Sequence, residues 1–416
     1  MSGGPARLPP GCTGAPAGAS RKPRQAIEGG SRLLVEDYAE RVTGCAQYLT
    51  RLLADQGTRV DNPVDEPIGP EESAPLELAD DRGLVQFEVD PAPGVTAAAI
   101  DGGSACLING RSFWVIAYRA GTIWHRDRVT VREDAEPLSV EALTQTDARG
   151  RYGQALAAAG VVRERELADL GGVVDVLREM AEWRRTREAI ELAAPGDVVL
   201  VDGSLHPGAF LPAALVVPIH ELALERGVDL VGVTKASKLR WGRYAPLVLR
   251  VRRRAEVEVG PDARWYLRVT RDPEGSGEPR GGVPANREEA PALADPETGE
   301  EAPALADPET GEAAPPWRSE VYVARLASRG AYAFRVDAVR GHRDPDELFA
   351  VLAGLSDDPA FLGYPYPLAR VHQVVSLPGH LLADLRRDLR AAFLREGLPE
   401  DDVDLVMRDF HLTLNA

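Results

Sequence analysis

Apolar positions follow two rhythms along the chain, one helical and one strand-like. From Ser31 to Gln56 the apolar residues Leu33, Leu34, Tyr38, Val42, Cys45, Tyr48, Leu49, Leu52 and Leu53 recur at helical spacing. The rhythm then changes. Val95–Ile100 reads as a strand, and Ala105–Ile108 and Ser112–Ala120 read as a hairpin about the turn Asn109-Gly110. Thr122–Arg132 reads as a further strand, and Leu138–Ala193 as largely helical with a break at Gly171-Gly172. Asp197–Val201 is almost wholly apolar, as a strand covered on both faces must be. The helix Phe210–Arg226 and the strand Val228–Thr234 follow, and this order implies a parallel crossover. Strand patterns continue at Leu247–Val259, Trp265–Val269, Glu320–Leu326 and Tyr332–Val339. Pro345–Leu355 reads as a helix, and Leu362–Ser376 is Pro-rich and then amphipathic. Leu381–Glu396 reads as a basic helix, and the pattern closes with Val403–Leu414. The expected class is α/β, a mixed sheet flanked by helices, with an N-terminal helix and a C-terminal helical region.

Three stretches break the pattern. Residues 1–28 are rich in Gly, Pro, Ala and Ser and read as a disordered tail. Asp61–Pro75 is a Pro-rich acidic connector. Arg271–Pro316 holds an identical tandem repeat, EAPALADPETGE at Glu289–Glu300 and again at Glu301–Glu312. One pair of units is too few for a solenoid, so this stretch reads as a flexible acidic insertion. The domain reading is a tail at 1–28, a helical segment with connector at 29–80, and one large domain at 81–416 interrupted at 271–316.

Composition adds bounds. The 416 residues are 44% hydrophobic, the range of a soluble globular protein, and can bury a large core. No apolar run reaches the roughly 18 residues a membrane span needs, and the first residues lack the apolar segment of a secretory signal. The three cysteines, Cys12, Cys45 and Cys106, show no metal spacing and fit a reducing cytoplasm. The net charge of -17 argues against a nucleic-acid binder, but the charge is uneven. Acid collects in Asp61–Asp81 and Asp272–Glu312, base in Arg240–Arg254 and Arg386–Arg395, so a local basic surface is compatible with the acidic total.

The candidate chemistry lies where apolar strands meet Asp-Gly. VTAAAIDGGSA at Val95–Ala105 and DVVLVDGSL at Asp197–Leu205 share one design and would deliver Asp101 and Asp202 to one place. Carboxylates are the hard oxygen donors that Mg²⁺ and Mn²⁺ prefer, and such ions activate water in phosphoryl transfer. Either pair alone is also what an ordinary strand end looks like. A third ligand is expected from the helix before Asp202, with Glu179, Glu182, Glu188 and Glu191 as candidates that spacing does not separate. Lys235, just past an apolar strand, could hold a phosphate or be an ordinary exposed lysine. His372 could be a metal ligand, a general acid or a packed core residue. Tyr364 and Tyr366 could stack on a base or line the core.

Taken together the motifs resemble the NurA family of nucleases. The resemblance rests on AAAIDGGSA at Ala97–Ala105, VLVDGSL at Val199–Leu205, GVTKASKL at Gly232–Leu239, FRVDAV at Phe334–Val339 and GYPYPLARVHQVV at Gly363–Val375. It implies an RNase H-like α/β core. It implies a Mn²⁺-dependent nuclease, with Mg²⁺ as a substitute and one or two ions, acting on single- and double-stranded DNA as a 5′–3′ exonuclease and single-strand endonuclease. It implies a homodimer that works with the hexameric translocase HerA in resecting the ends of double-strand breaks. By the resemblance the metal aspartates fall on Asp101 and Asp202, the helix glutamate on Glu182 with Glu188 as the alternative, and the late tyrosine and histidine on Tyr364 and His372. Lys235 matches a motif lysine, and Asp337 lies in a matching strand as a structural residue. The tail and the repeat-bearing insertion depart from the family pattern without interrupting a motif.

Three other readings remain open from the residues. One is an RNase H-like enzyme cutting RNA, or a metal-dependent phosphatase. A second is an inactive DNA clamp or regulator of a translocase. A third, a polysaccharide hydrolase using Asp101 and Asp202 as acid and base, has little support at 6% aromatic content.

Overall fold

A computed structural model of the chain describes residues 60–61, 76–78, 83–89, 94–110, 113–158, 171–206, 211, 213–241, 245–271, 319–328 and 332–407. The expected tail, the helix at Ser31–Gln56 and the repeat-bearing insertion lie outside the described residues. In chain order the strands begin with β1 (Val60–Asp61), β2 (Leu76–Leu78) and β3 (Val85–Gln86). A long meander follows: β4 (Thr96–Asn109), β5 (Phe113–Arg126), β6 (Val129–Ala135) and β7 (Ser139–Thr144). Then come α1 (Gln145–Ala158), α2 (Gly171–Leu192), β8 (Val198–Asp202), α3 (Ala213–Arg226) and β9 (Asp229–Thr234). The short β10 (Arg240–Trp241) and β11 (Ala245–Pro246) precede α4 (Leu247–Glu258), β12 (Trp265–Arg271), β13 (Glu320–Arg325) and β14 (Phe334–Val339). Helices close the described chain: α5 (Pro345–Gly354), α6 (Tyr366–Val375), α7 (Gly379–Arg395) and α8 (Glu400–Met407). No described helix is long and apolar enough to cross a membrane.

All these strands join one mixed sheet, ordered β11-β10-β1-β2-β12-β13-β14-β9-β8-β4-β5-β6, with β3 on β12 and β7 on β5. Its centre is an RNase H-like core. β4, β5 and β6 form an antiparallel meander, and β8 and β9 add to β4 as parallel strands. β8 occupies the middle because its residues suit nothing else. Val198, Val199, Leu200 and Val201 are all buried, and each such side chain contributes about 2 kcal/mol on leaving water. The crossover through α3 makes β8 and β9 parallel, as the β-α-β order requires.

The two-residue period of a strand sorts side chains to opposite faces. Ala98, Ile100, Val199 and Val201 face a core closed by α2 and α3. Ala97, Ala99, Val198, Leu200, Val231 and Val233 face a second core closed by α5 and α6. The alternating faces determine which helix can reach which carboxylate.

The structure corrects four readings of the sequence. Leu247–Val259 is not a strand: Leu247–Glu258 is α4, burying Leu247, Val251 and Ala255 one turn apart. Its arginines lie on the other faces and form i,i+4 pairs, Arg252–Glu256 and Arg254–Glu258. Leu138–Ala193 is not helical from its start, because Ser139–Thr144 pairs with β5 as β7, and Gly171-Gly172 lies within the described span of α2. Thr122–Arg132 spans the end of β5, a turn at Asp127 and Arg128 with positive φ at both, and the start of β6. Val95–Ile100 does not end at Asp101: β4 runs on through Gly102, Gly103 and Ser104 to Asn109, paired with β5 along its length.

Candidate active site

The parallel ladder brings the first two carboxylates together. Ile100 pairs with Val201, so the next residues along β4 and β8 are Asp101 and Asp202. Both follow the side-chain parity of the face toward α6. On β9 the same parity and the pairing of Asp202 with Val233 place Lys235 two residues beyond, at the same end of the sheet. The Lys235 ammonium donates to Asp202 Oδ2 at 2.5 Å.

His372 comes from α6 on that face. Its Nδ1 lies 2.7 Å from Asp101 Oδ2 and 4.0 Å from Asp202 Oδ2. α6 approaches this closely because β4 and β5 carry glycine beneath it. A Cβ on Gly103 would stand 2.1 Å from the Val375 carbonyl oxygen, and one on Gly121 would stand 2.8 Å from Val375 Cγ1. Arg119 on β5 donates to the carbonyls of Val375 and Ser376, at 3.1 and 3.0 Å, and fixes the end of the helix. The glycines therefore serve close approach within a continuous strand, not a turn.

Glu182 approaches Asp101 from the opposite face, on α2, and stands outside the set of ligand atoms that Asp101, Asp202 and His372 bring together. A Cβ on Gly102 would stand 2.5 Å from Glu182 Oε1 and 2.8 Å from Arg178 Cγ, so only glycine admits these side chains. Among the four candidate glutamates this separates Glu182 from the rest. Glu188 pairs with Arg185 at 3.2 Å and Glu191 with Arg187 at 3.0 Å, both at the surface. Glu179 is half-buried and raises the Glu182 pKa by its charge.

The electrostatics suit a cation. Burial pushes the Glu182 carboxyl up to about 8, with the Asp101 charge adding to the rise and Arg178 opposing it. Burial and the neighbouring Asp202 charge likewise raise Asp101 above its ordinary value, against the hydrogen bonds from His372 and the Gly102 N–H. Ligand atoms of Asp101, Asp202 and His372 all lie within 4.8 Å of one another. Two carboxylates and an imidazole at that spacing are a fitting donor set for Mn²⁺ or Mg²⁺. The set opens into a cavity of about 450 Å³ lined also by Arg178, Lys235, Ser104 and Asp175.

Tyr364 is buried below Asp202, with its hydroxyl 3.5 Å from the Val233 carbonyl oxygen and its ring 4.9 Å from the Lys235 ammonium. Burial and the Asp202 charge hold its pKa well above the ordinary phenol range. Tyr366 lies apart, against His125 and Phe361. Asp337 is fully buried and paired with Arg335 at 2.7 Å. It accepts from Ser204 Oγ at 2.7 Å and from the Leu205 N–H at 3.0 Å, and so anchors the loop that leaves Asp202. Arg178 is not among the sequence candidates. Its one signal is its place four residues before Glu182 on the same helix face.

No protein-family model and no curated protein matches the chain. Among solved structures it is similar to the NurA nuclease from Sulfolobus solfataricus, at 14% identity over 89% of this chain and 99% of that one, with a TM-score of 0.46. It is similar to a second NurA structure at 9% identity, 77% and 92% coverage and a TM-score of 0.41. It is also similar to the catalytic domain of human endonuclease V, at 13% identity, 76% and 92% coverage and a TM-score of 0.32.

Proposed function

We infer that the chain is a divalent-metal-dependent deoxyribonuclease, with Asp101, Asp202, Glu182 and His372 as its metal ligands. One observation carries the reading: separate elements bring Asp101, Asp202 and His372 within 4.8 Å of one another, at the floor of an open cavity. A cation bound there supplies charge neutralisation at the phosphate and a lowered pKa for water.

The chain's own residues do the rest. Asp101, Asp202 and His372 would hold the cation, and Glu182, buried on α2 beside Asp101, would add a carboxylate to the site. His372, more than half exposed at its side chain, would complete the donor set from α6 on the solvent side. Lys235 steadies charge that develops on the phosphate. Tyr364 sits beneath Lys235 and Asp202 and fixes where that ammonium stands.

The order of the motifs from Ala97 to Val375 supports a NurA-type role. That role is a Mn²⁺-dependent 5′–3′ exonuclease and single-strand endonuclease, dimeric, cytoplasmic, and partnered with a HerA-type translocase in end resection. The test is cleavage of single-stranded DNA, duplex DNA and RNA of one sequence, with Mn²⁺, with and without the translocase and ATP. Cleavage of DNA in preference to RNA is expected. Cleavage of RNA alone, or none on any substrate with the translocase present, would overturn the reading.

A further inference from the structure

Each of the three acids proposed as metal ligands is held by a base of its own. His372 is on Asp101 at 2.7 Å, Lys235 on Asp202 at 2.5 Å, and Arg178 Nη1 on Glu182 Oε1 at 2.6 Å. The third pair is the least expected. Its carboxylate is almost wholly enclosed, while the arginine side chain is 28% exposed and lines the cavity beside Asp101, Asp202 and Lys235. Arg178 gives Glu182 one N–H, and its other donors make no hydrogen bond among the described residues. A planar fork with spare donors at the wall of a cavity matches the oxygens of a phosphate better than a single carboxylate oxygen.

We propose that Arg178 binds a phosphate of the nucleic-acid substrate, and that it exchanges Glu182 for that phosphate when a cation takes the Glu182 carboxylate. The proposal rests on the deoxyribonuclease reading. A cation and a guanidinium compete for Glu182 Oε1, so occupancy by the first frees the second. The stem of the freed side chain stays beside the cavity, because its Cγ lies across Gly102, where a Cβ would stand 2.8 Å away. Its charge then acts in the cavity it already lines, where the oxygens of a phosphate would compete with the Asp175 carboxylate for its donors. Lys235 is released from Asp202 by the same exchange, and the two cations flank the cavity as a clamp that forms only when the metal is bound. No covalent step is involved.

A structural role for Arg178, holding Glu182 in place as a metal ligand, makes the opposite forecast for metal affinity. The experiment therefore compares the parent, Arg178→Met and Arg178→Lys in two titrations. Calorimetry with Mn²⁺ alone reads the metal site. Fluorescence anisotropy of a labelled single-stranded oligonucleotide, with Ca²⁺ or with chelator, reads substrate binding. For Arg178→Met, Mn²⁺ affinity equal to the parent's or tighter is expected, because a competing cation is gone. DNA affinity should fall about tenfold or more with Ca²⁺, the size of a lost charged hydrogen bond, and should be unchanged with chelator. Arg178→Lys keeps a partner for Glu182 and should fold where Arg178→Met does not. It should fall between the two in DNA affinity, since it keeps the charge and loses the fork. Weakened Mn²⁺ binding with unchanged DNA affinity in either variant would overturn the proposal and make Arg178 a positioning residue. A parent that binds no Mn²⁺ and cuts no DNA would instead bring down the deoxyribonuclease reading, and the proposal with it.

Discussion

Asp101 and Asp202 stand side by side because Ile100 pairs with Val201 in the parallel ladder between β4 and β8. Two carboxylates placed this way repel each other, and burial with the Asp202 charge raises the Asp101 pKa. In the absence of a cation the pair therefore costs stability, and a bound cation offsets that cost. Asp101→Asn should leave the metal-free melting temperature unchanged or raise it by about 1–3 °C. It should also abolish the upward shift that Mn²⁺ gives the parent. Differential scanning calorimetry with and without Mn²⁺ measures both. A variant that keeps the parent's Mn²⁺ shift would show that the cation binds elsewhere.

The glycines under the helices give a second expectation. A Cβ on Gly103 meets backbone, the Val375 carbonyl, which has nowhere to go without moving α6. Gly103→Ala should cost about 1–3 kcal/mol by overpacking. Gly150, inside α1, faces open space, and a methyl group added there would meet nothing within 4 Å. Gly150→Ala should therefore stabilise by about 0.5–1 kcal/mol. Denaturant midpoints of the two variants decide it, and equal effects of the same sign would contradict the packing described.

His220 on α3 makes stability depend on pH away from the site. Burial lowers its pKa from 6.5 to about 4, against a contact with Leu205 and the charge of Asp337. The unfolded chain then takes up this proton at a higher pH than the folded chain does. Stability from the neutral ring is complete above the unfolded value and is lost as pH falls from about 6.5 toward 4, by on the order of 3 kcal/mol at most. Urea denaturation at pH 7.5 and 5.0 should show a smaller drop in His220→Gln than in the parent. Equal drops would mean that His220 titrates alike in both states.

Much of the arrangement is legible in the chain, for reasons that differ by element. β8 and β9 are runs of buried Val and Leu too short to be anything but central strands, and their crossover hands Asp202 and Lys235 to one end of the sheet. The block Gly363–Val375 carries His372 and Tyr364 by its motif rather than by its pattern. α4 reads as a strand because Leu247, Val248, Leu249 and Val251 favour strands locally, while burial every fourth residue decides for a helix. Spacing cannot choose Glu182 over Glu179, Glu188 and Glu191. The choice depends on the gap at Gly102, a contact between elements about 80 residues apart that no local pattern carries. Asp101 reads as a strand end because Asp-Gly often marks one, whereas here pairing with β5 carries the strand through.

Cleavage of end-labelled linear DNA by the parent and by Asp101→Ala, each with Mn²⁺, with Mg²⁺ and with chelator, is the measurement to make first. Shortening of the label by the parent in Mn²⁺, its loss in chelator, and its loss by at least about 100-fold in the variant are the expected results, since the substitution removes a proposed metal ligand. A variant that folds as the parent does and cuts at the parent's rate would place the chemistry somewhere other than the carboxylate pair of β4 and β8.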